Sequence, residues 1–174
     1  MKLSRHTLKN INSGNVVIPD EKIFELPEKV LQFGTGMLLR GLPDYYIDKA
    51  NRNGIFNGRI VMVKTTSKGD AASFEKQDGL YTLCERCILE DQRVEKNITC
   101  SSVSRVIIAK NDWEKILECA HNPDLQIIIS NKTEVGIQLM NDDIPFIRRY
   151  LTRENYLHFC MRDLSLSIEL KIAV

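Results

Sequence analysis

Val30-Leu31-Gln32-Phe33-Gly34-Thr35-Gly36-Met37-Leu38-Leu39-Arg40-Gly41 reads as a short apolar strand, a glycine turn and the start of a helix. Such a turn suits a phosphate for physical reasons. Gly34 lets the chain turn tightly, and Gly36 has no β-carbon to hold a pyrophosphate off the backbone. The amides of the following helix then face an anion, helped by the helix dipole. The third glycine of a G-x-G-x-x-G fingerprint would fall at Leu39, so the match is incomplete.

Outward from the turn, the strand begins at Lys29 and the helix runs from Met37 to Asn51. Leu38, Leu39, Leu42, Tyr45, Tyr46 and Ala50 give that helix an apolar face, and Pro43 must sit in a first turn or kink it. Turns at Asn53-Gly54 and Asn57-Gly58 lead to a second strand, Arg59 to Lys64, apolar enough to be buried on both faces. Strand, helix and strand make one βαβ unit. Before it, residues 1–27 are polar and broken by Pro19 and Pro27, and read as a surface arm.

After the second strand the pattern changes. Ser67 to Gln77 is a polar loop. Gly79 to Cys84 and Cys87 to Leu89 read as a hairpin-like pair, and Asn97 to Thr99 and Val103 to Ile108 stay extended. A helix follows from Asn111 to Ala120, capped by Asn111 or Asp112, with Trp113, Ile116, Leu117 and Ala120 on one face. Leu125 to Ser130 is a further buried strand, and Asn131 to Gly136 is the loop at its C-terminal end. The sequence contains no internal repeat.

With 174 residues, 43% hydrophobic and 27% charged, the chain suits one domain with a sizeable core. A net charge of +1 gives no reason to expect nucleic acid or an anionic membrane as partner. No apolar run is long enough to span a bilayer, and Met1 to His6 lead into no signal-peptide core. Five cysteines without an export signal fit a reduced, cytoplasmic setting.

In a doubly wound sheet, Gly34 to Met37, Lys64 to Ser67 and Asn131 to Glu134 would share one crevice. A nicotinamide site often has an acid ending the second strand, but here Lys64-Thr65-Thr66-Ser67-Lys68 follows with no acid before Asp70. Lys64 and Lys68 fit phosphate contacts or, more simply, solvated loop lysines. Glu134 fits a ligand contact and a turn cap equally well. Cys84 and Cys87 form a lone C-x-x-C, without a second pair or nearby histidines for zinc, and read as ordinary strand residues. Cys100 and Cys119 read as buried thiols. His6, His121 and His158 lie far apart in sequence, and His121 reads as a helix C-terminal residue.

Taken together, the segments resemble the tagaturonate reductases (altronate oxidoreductases), a branch of the mannitol dehydrogenase family of long-chain polyol dehydrogenases. Val30 to Gly41 resembles their nucleotide-binding stretch, and Gln77-Asp78-Gly79-Leu80-Tyr81-Thr82-Leu83 a second signature. Ser101-Ser102-Val103-Ser104-Arg105 resembles a third. Asn122-Pro123-Asp124-Leu125 with Ser130-Asn131-Lys132-Thr133-Glu134-Val135-Gly136-Ile137 resembles a fourth. The likeness runs from about Leu26 to Asp143, and the second and fourth signatures favour the uronate branch over mannitol dehydrogenase. Two positions depart: Met37 stands where the family commonly has Asn, and Lys132 where it has a small polar residue.

The resemblance implies an α/β, Rossmann-type doubly wound sheet with a β-rich insertion after the second strand. It implies NAD as cofactor and hydride transfer between NADH and the keto carbon of D-tagaturonate, giving D-altronate, a step of hexuronate catabolism. The implied cofactor contacts are Leu31, Gln32, Phe33, Gly34, Thr35, Gly36, Met37, Leu38, Leu39, Arg40, Gly41, Leu42, Lys64, Thr65, Asn131, Thr133 and Glu134. In the family the general acid/base is a lysine in a mostly helical C-terminal domain, with neighbouring Asn and His polarising the carbonyl. That domain is expected to be missing here, leaving a cofactor-binding portion inactive alone, with a sugar acid as substrate only in the full-length enzyme. The rival reading is another Rossmann-like module, binding NAD(P) or S-adenosylmethionine, with a different reaction or none. The expected division is an arm at 1–27, an NAD-binding domain at 28–145 and a tail at 146–174. The tail matches nothing in the family. Read from the third base of the Phe146 codon, an allowed codon choice spells a run resembling the family's continuation. A frameshift near Phe146 is therefore expected.

Overall fold

In the computed structural model, residues 3–11, 14, 16–65, 72–89 and 91–131 are described. In chain order the elements are α1 (Arg5–Leu8), β1 (Val16–Val17), a 3-10 turn (Glu21–Glu25), β2 (Glu28–Phe33), α2 (Met37–Gly41), α3 (Pro43–Arg52), β3 (Arg59–Lys64), α4 (Ala72–Lys76), β4 (Tyr81–Leu89), β5 (Gln92–Cys100), β6 (Val103–Ile108), α5 (Trp113–His121) and β7 (Ile127–Ser130). The tail expected at 146–174 and the loop residues from Lys132 onward lie outside the described residues.

Four strands form a parallel sheet in the order β6-β3-β2-β7. The register sets Leu31 between Val61 and Ile128, and Phe33 between Val63 and Ser130. All six residues of β3 are buried, as a central parallel strand covered on both faces requires. One face packs Leu31, Phe33, Val61, Val63 and Ile107 against Ile116, Cys119 and Ala120 of α5. The other packs Val30, Ile60, Met62 and Val103 against Tyr81, Ile98 and Cys100. Those last three come from the smaller sheet β1-β5-β4, in which β1 joins β5 parallel and β4 and β5 are antiparallel. This is the Rossmann-type α/β arrangement with an extended insertion after the second strand.

Several local expectations change. The helix expected from Met37 to Asn51 is two helices. Leu42, at φ −119° and ψ −84°, breaks it, and Pro43 starts α3 where its missing N–H costs nothing. The expected apolar face also gives way. Leu38, Leu42 and Tyr46 are exposed, while α3 turns Asp44, Asp48 and Asn51 toward the protein. These lie at i, i+4 and i+7, and each finds partners: Asp44 meets Gln32, Asp48 meets Ser101 and Arg52, and Asn51 meets Gly58.

Within the stretch expected to be a polar loop, 72–76 form α4, whose Phe74 packs on the sheet. The hairpin is not between 79–84 and 87–89. Residues 81–89 form the one strand β4, and its partner is β5, in register from Tyr81↔Cys100 to Leu89↔Gln92. Asp112 occupies the cap position of α5, but its side chain makes no capping bond and instead pairs with Lys115 at 2.7 Å. Finally, β7 is not a buried strand. Among the described residues it ends the sheet, and Ile127 is 38% exposed.

Candidate functional site

The order β6-β3-β2-β7 places a switch point beside β2. The chain moves from β2 outward to β3 and β6, then returns across to β7 on the other side of β2. Open α/β sheets bind ligands in the crevice at the carboxyl ends of such strands. Phe33, Lys64 and Ser130 end their strands on this same edge, so Gly34-Thr35-Gly36, Thr65 and Asn131 are brought to one place.

The turn is held at its start. Gly34 N–H donates to Val63 O at 2.9 Å, and Gly34 adopts φ +120°, a conformation side chains resist. A β-carbon there would lie 3.0 Å from Leu39 Cδ1. Leu39, at the position of the missing third glycine, is buried and packs under the turn rather than opening it. Gly36 ends the turn with open space where a β-carbon would stand, and α2 starts there with no side-chain cap. Its first amides are therefore available to an anion. Met37 is 81% exposed beside them.

Behind the turn lies a polar cluster. Gln32 Nε2 is 3.3 Å from both Gly34 O and Asp44 Oδ2, and Gln32 and Asp44 are fully buried. Burial pushes the Asp44 carboxyl up to about 7, against the hydrogen bond from Gln32 and the charge of Arg40. The Arg40 guanidinium lies over the rings of Phe74 and Tyr81, at 5.3 and 5.7 Å from their centres. The Tyr81 hydroxyl donates to Arg40 O at 2.8 Å. Burial and the neighbouring Cys100 and Asp44 push the Tyr81 phenol far above its usual range, so it stays a donor.

The remaining predicted residues divide. Lys64 is not a solvated loop lysine; it ends β3, is buried, and its carbonyl accepts from Ala109 N–H at 3.0 Å. Thr65 is half-buried and Asn131 exposed. Leu31 and Phe33 point into the core, and Leu38 and Leu42 are exposed. Lys68, Lys132, Thr133 and Glu134 lie outside the described residues. Sequence reasoning missed Asp44, and its signal was Gln32, one amide in the otherwise apolar run Val30 to Phe33.

Away from Asn131, the described residues of the other signatures support the crevice from behind. Gly79 tucks under β6, and Ser101 bonds to Asp48. Arg105 grips Glu28 with Nε and a terminal nitrogen, both at 2.9 Å, while Asn122 donates to Glu28 O at 3.2 Å. Cys84 and Cys87 are exposed, three residues apart in β4 and so on opposite faces, whereas Cys100 and Cys119 are buried.

Over 122 residues, 70% of its length, the chain is 37% identical to an altronate oxidoreductase of Halalkalibacterium halodurans. The altronate oxidoreductase of Bacillus subtilis is 39% identical over 113 residues, 65% of the chain. The chain is a homologue of the altronate oxidoreductases over this stretch. It spans about a quarter, 24%, of the length of each of these relatives. No family model matches it. The fold is also that of a Pseudomonas fluorescens mannitol 2-dehydrogenase solved as a ternary complex with NAD and D-mannitol. The TM-score is 0.69 and the identity 23%, covering 78% of this chain and 27% of that one.

Proposed function

We propose that this chain is the NAD-binding portion of an oxidoreductase that interconverts D-tagaturonate and D-altronate. The observation that carries the reading is the Gly34-Thr35-Gly36 turn at the switch point, with open space at Gly36 and an uncapped helix start. The family supplies the rest: homologues named altronate oxidoreductase and a neighbour of the same fold solved with NAD.

In this reading the amides after Gly36 hold the pyrophosphate, and Thr65 and Asn131 flank it on the neighbouring strand ends. No acid directly follows β3, where Lys64 leads into Thr65. The nicotinamide supplies or accepts a hydride. The described residues bind and orient the cofactor, while proton transfer to the substrate oxygen is assigned to the family's helical domain.

Calorimetric titration of the 174-residue chain with NADH, NADPH and S-adenosylmethionine tests the reading. NADH is expected to bind and S-adenosylmethionine to give no heat; the reverse result would overturn the assignment. An assay with tagaturonate and NADH tests the division of labour, since turnover by this chain alone would refute it.

A further inference from the structure

Two buried acceptors behind the turn have no donor. Gln32 Oε1 and Asp44 Oδ1 are both without hydrogen-bond partners, although both side chains are fully buried. Their sister atoms are already engaged, with Gln32 Nε2 donating to Asp44 Oδ2. Were Asp44 ionised, two buried acceptors would be left without donors, a costly arrangement in a dry interior. One proton removes the conflict. A carboxylic acid and a primary amide close a ring of two hydrogen bonds, the amide N–H to one acid oxygen and the acid O–H to the amide oxygen.

We propose that Gln32 and Asp44 form a neutral acid–amide pair that positions the glycine turn, with the Asp44 proton placed between Asp44 Oδ1 and Gln32 Oε1. The second hydrogen on Gln32 Nε2 then holds Gly34 O, 3.3 Å away. With Gly34 N–H bound to Val63 O, both polar groups of Gly34 are pinned.

The charged and titratable groups around Asp44 agree with this. Among the described residues Arg40 is the cation whose charge acts on it, and its Nε makes no hydrogen bond to the carboxylate or to any other described group. Tyr81 and Cys100, from β4 and β5, have their own ionisation pushed up by burial and bring no positive charge. Burial of Asp44 therefore prevails, holding its proton to about pH 7. Above that, the ring opens, Gln32 loses its fixed orientation and Gly34 O is released. Gln32 and Asp44 are positioning residues: they act on the turn and touch no ligand themselves. That the turn holds a dinucleotide rests on the function proposed above; the pairing itself does not.

The test uses the full chain labelled with 15N-glycine, followed by NMR from about pH 5.5 to about pH 9, with NADH affinity measured across the same range. In the parent protein the Gly34 and Gly36 amides are expected to shift in one step centred near neutral pH. NADH should bind several-fold more weakly above the step. Asp44→Asn keeps the ring with an amide in place of the acid, so its glycine shifts should stay flat, match the acid form and leave affinity independent of pH. Should that variant fail to fold, Gln32→Met serves. The Asp44 carboxyl, read by 13C, should still titrate while the Gly34 amide no longer follows. Flat glycine shifts in the parent, or a step persisting unchanged in either variant, would overturn the pairing. Expected glycine shifts without NADH binding at any pH would uphold the pairing and refute the dinucleotide reading.

Discussion

Asp48 of α3 takes both hydrogens that Ser101 offers, the N–H at 2.7 Å and the hydroxyl at 2.9 Å, on one carboxylate oxygen. Its other oxygen receives Arg52 Nε at 2.6 Å, and Arg52 reaches on to Ile18 O at 2.9 Å and Thr99 O at 2.6 Å. One carboxylate, 1% exposed, thus ties α3, the N-terminal arm and the end of β5 together. Asp48→Ala leaves the Arg52 charge and its Nε, and both Ser101 donors, without their acceptor and should cost about 3 kcal/mol in urea unfolding. A loss below about 1 kcal/mol would show the tie to be dispensable.

Gly79 is demanded by its surroundings. It sits at φ +74°, and a β-carbon there would lie 2.6 Å from the Val103 carbonyl oxygen. That oxygen belongs to backbone in the sheet and has little room to yield. Gly79→Ala should cost at least about 2 kcal/mol, read as a fall in thermal midpoint. An unchanged midpoint would mean that α4 and β4 move freely against β6.

Met37, which the sequence reading marks as a departure from an expected Asn, is 81% exposed at the start of α2. Met37→Asn should leave stability within about 0.5 kcal/mol. NADH affinity should rise several-fold by calorimetry, because the new amide faces the proposed dinucleotide. Equal affinity in the two proteins would remove this position from the site.

Two carboxyls give stability opposite slopes against pH. Asp44 has its folded value raised to about 7 from an ordinary 3.8, so the unfolded chain loses this proton first. Stability should fall as pH rises through that interval and level off above about 7, with a total on the order of 2–4 kcal/mol. Burial also opposes ionisation of Glu28, but hydrogen bonds from Arg105 and Ser104 and the charges of Arg105 and Arg59 outweigh it and leave its value lowered. Its contribution is present above the unfolded value near 4.5 and is lost as pH falls through the folded one. Chemical unfolding across pH should show Asp44→Asn flattening the neutral side alone, and Glu28→Gln the acid side alone. A parent protein equally stable at pH 5 and pH 8 would contradict the Asp44 assignment.

The sheet was legible because its signal is local. Val30 to Phe33 and Ile60 to Val63 are runs that only a strand covered on both faces accommodates, and the glycine turn marks the change of direction between them. The docking of α3 was not legible. The periodicity over 37–51 alone favours burying Leu42 and Tyr46, whereas Gln32, Ser101 and Gly58 wait on the sheet and its loops to receive Asp44, Asp48 and Asn51. A polar face is buried only when distant residues satisfy it, and one helix does not display those residues. The hairpin partner was hidden likewise, since β5 is mostly polar and solvent-facing over its first five residues. At the site, the turn was found by its glycines. Asp44 was not, because its chemistry depends on an amide twelve residues earlier in the chain.

The burial gradient along the β4–β5 hairpin separates two parts of one element. Its base, with Tyr81, Ile98 and Cys100, is built into the core, while its far end shows Ile88 at 72% exposure and Val94 at 38%. Material spliced in near Asp91 would enter far along the chain from the residues that hold Gly34. The hairpin end is thus a natural place to graft a fluorophore, an affinity tag or a second domain, with the crevice left free to report on its own ligand.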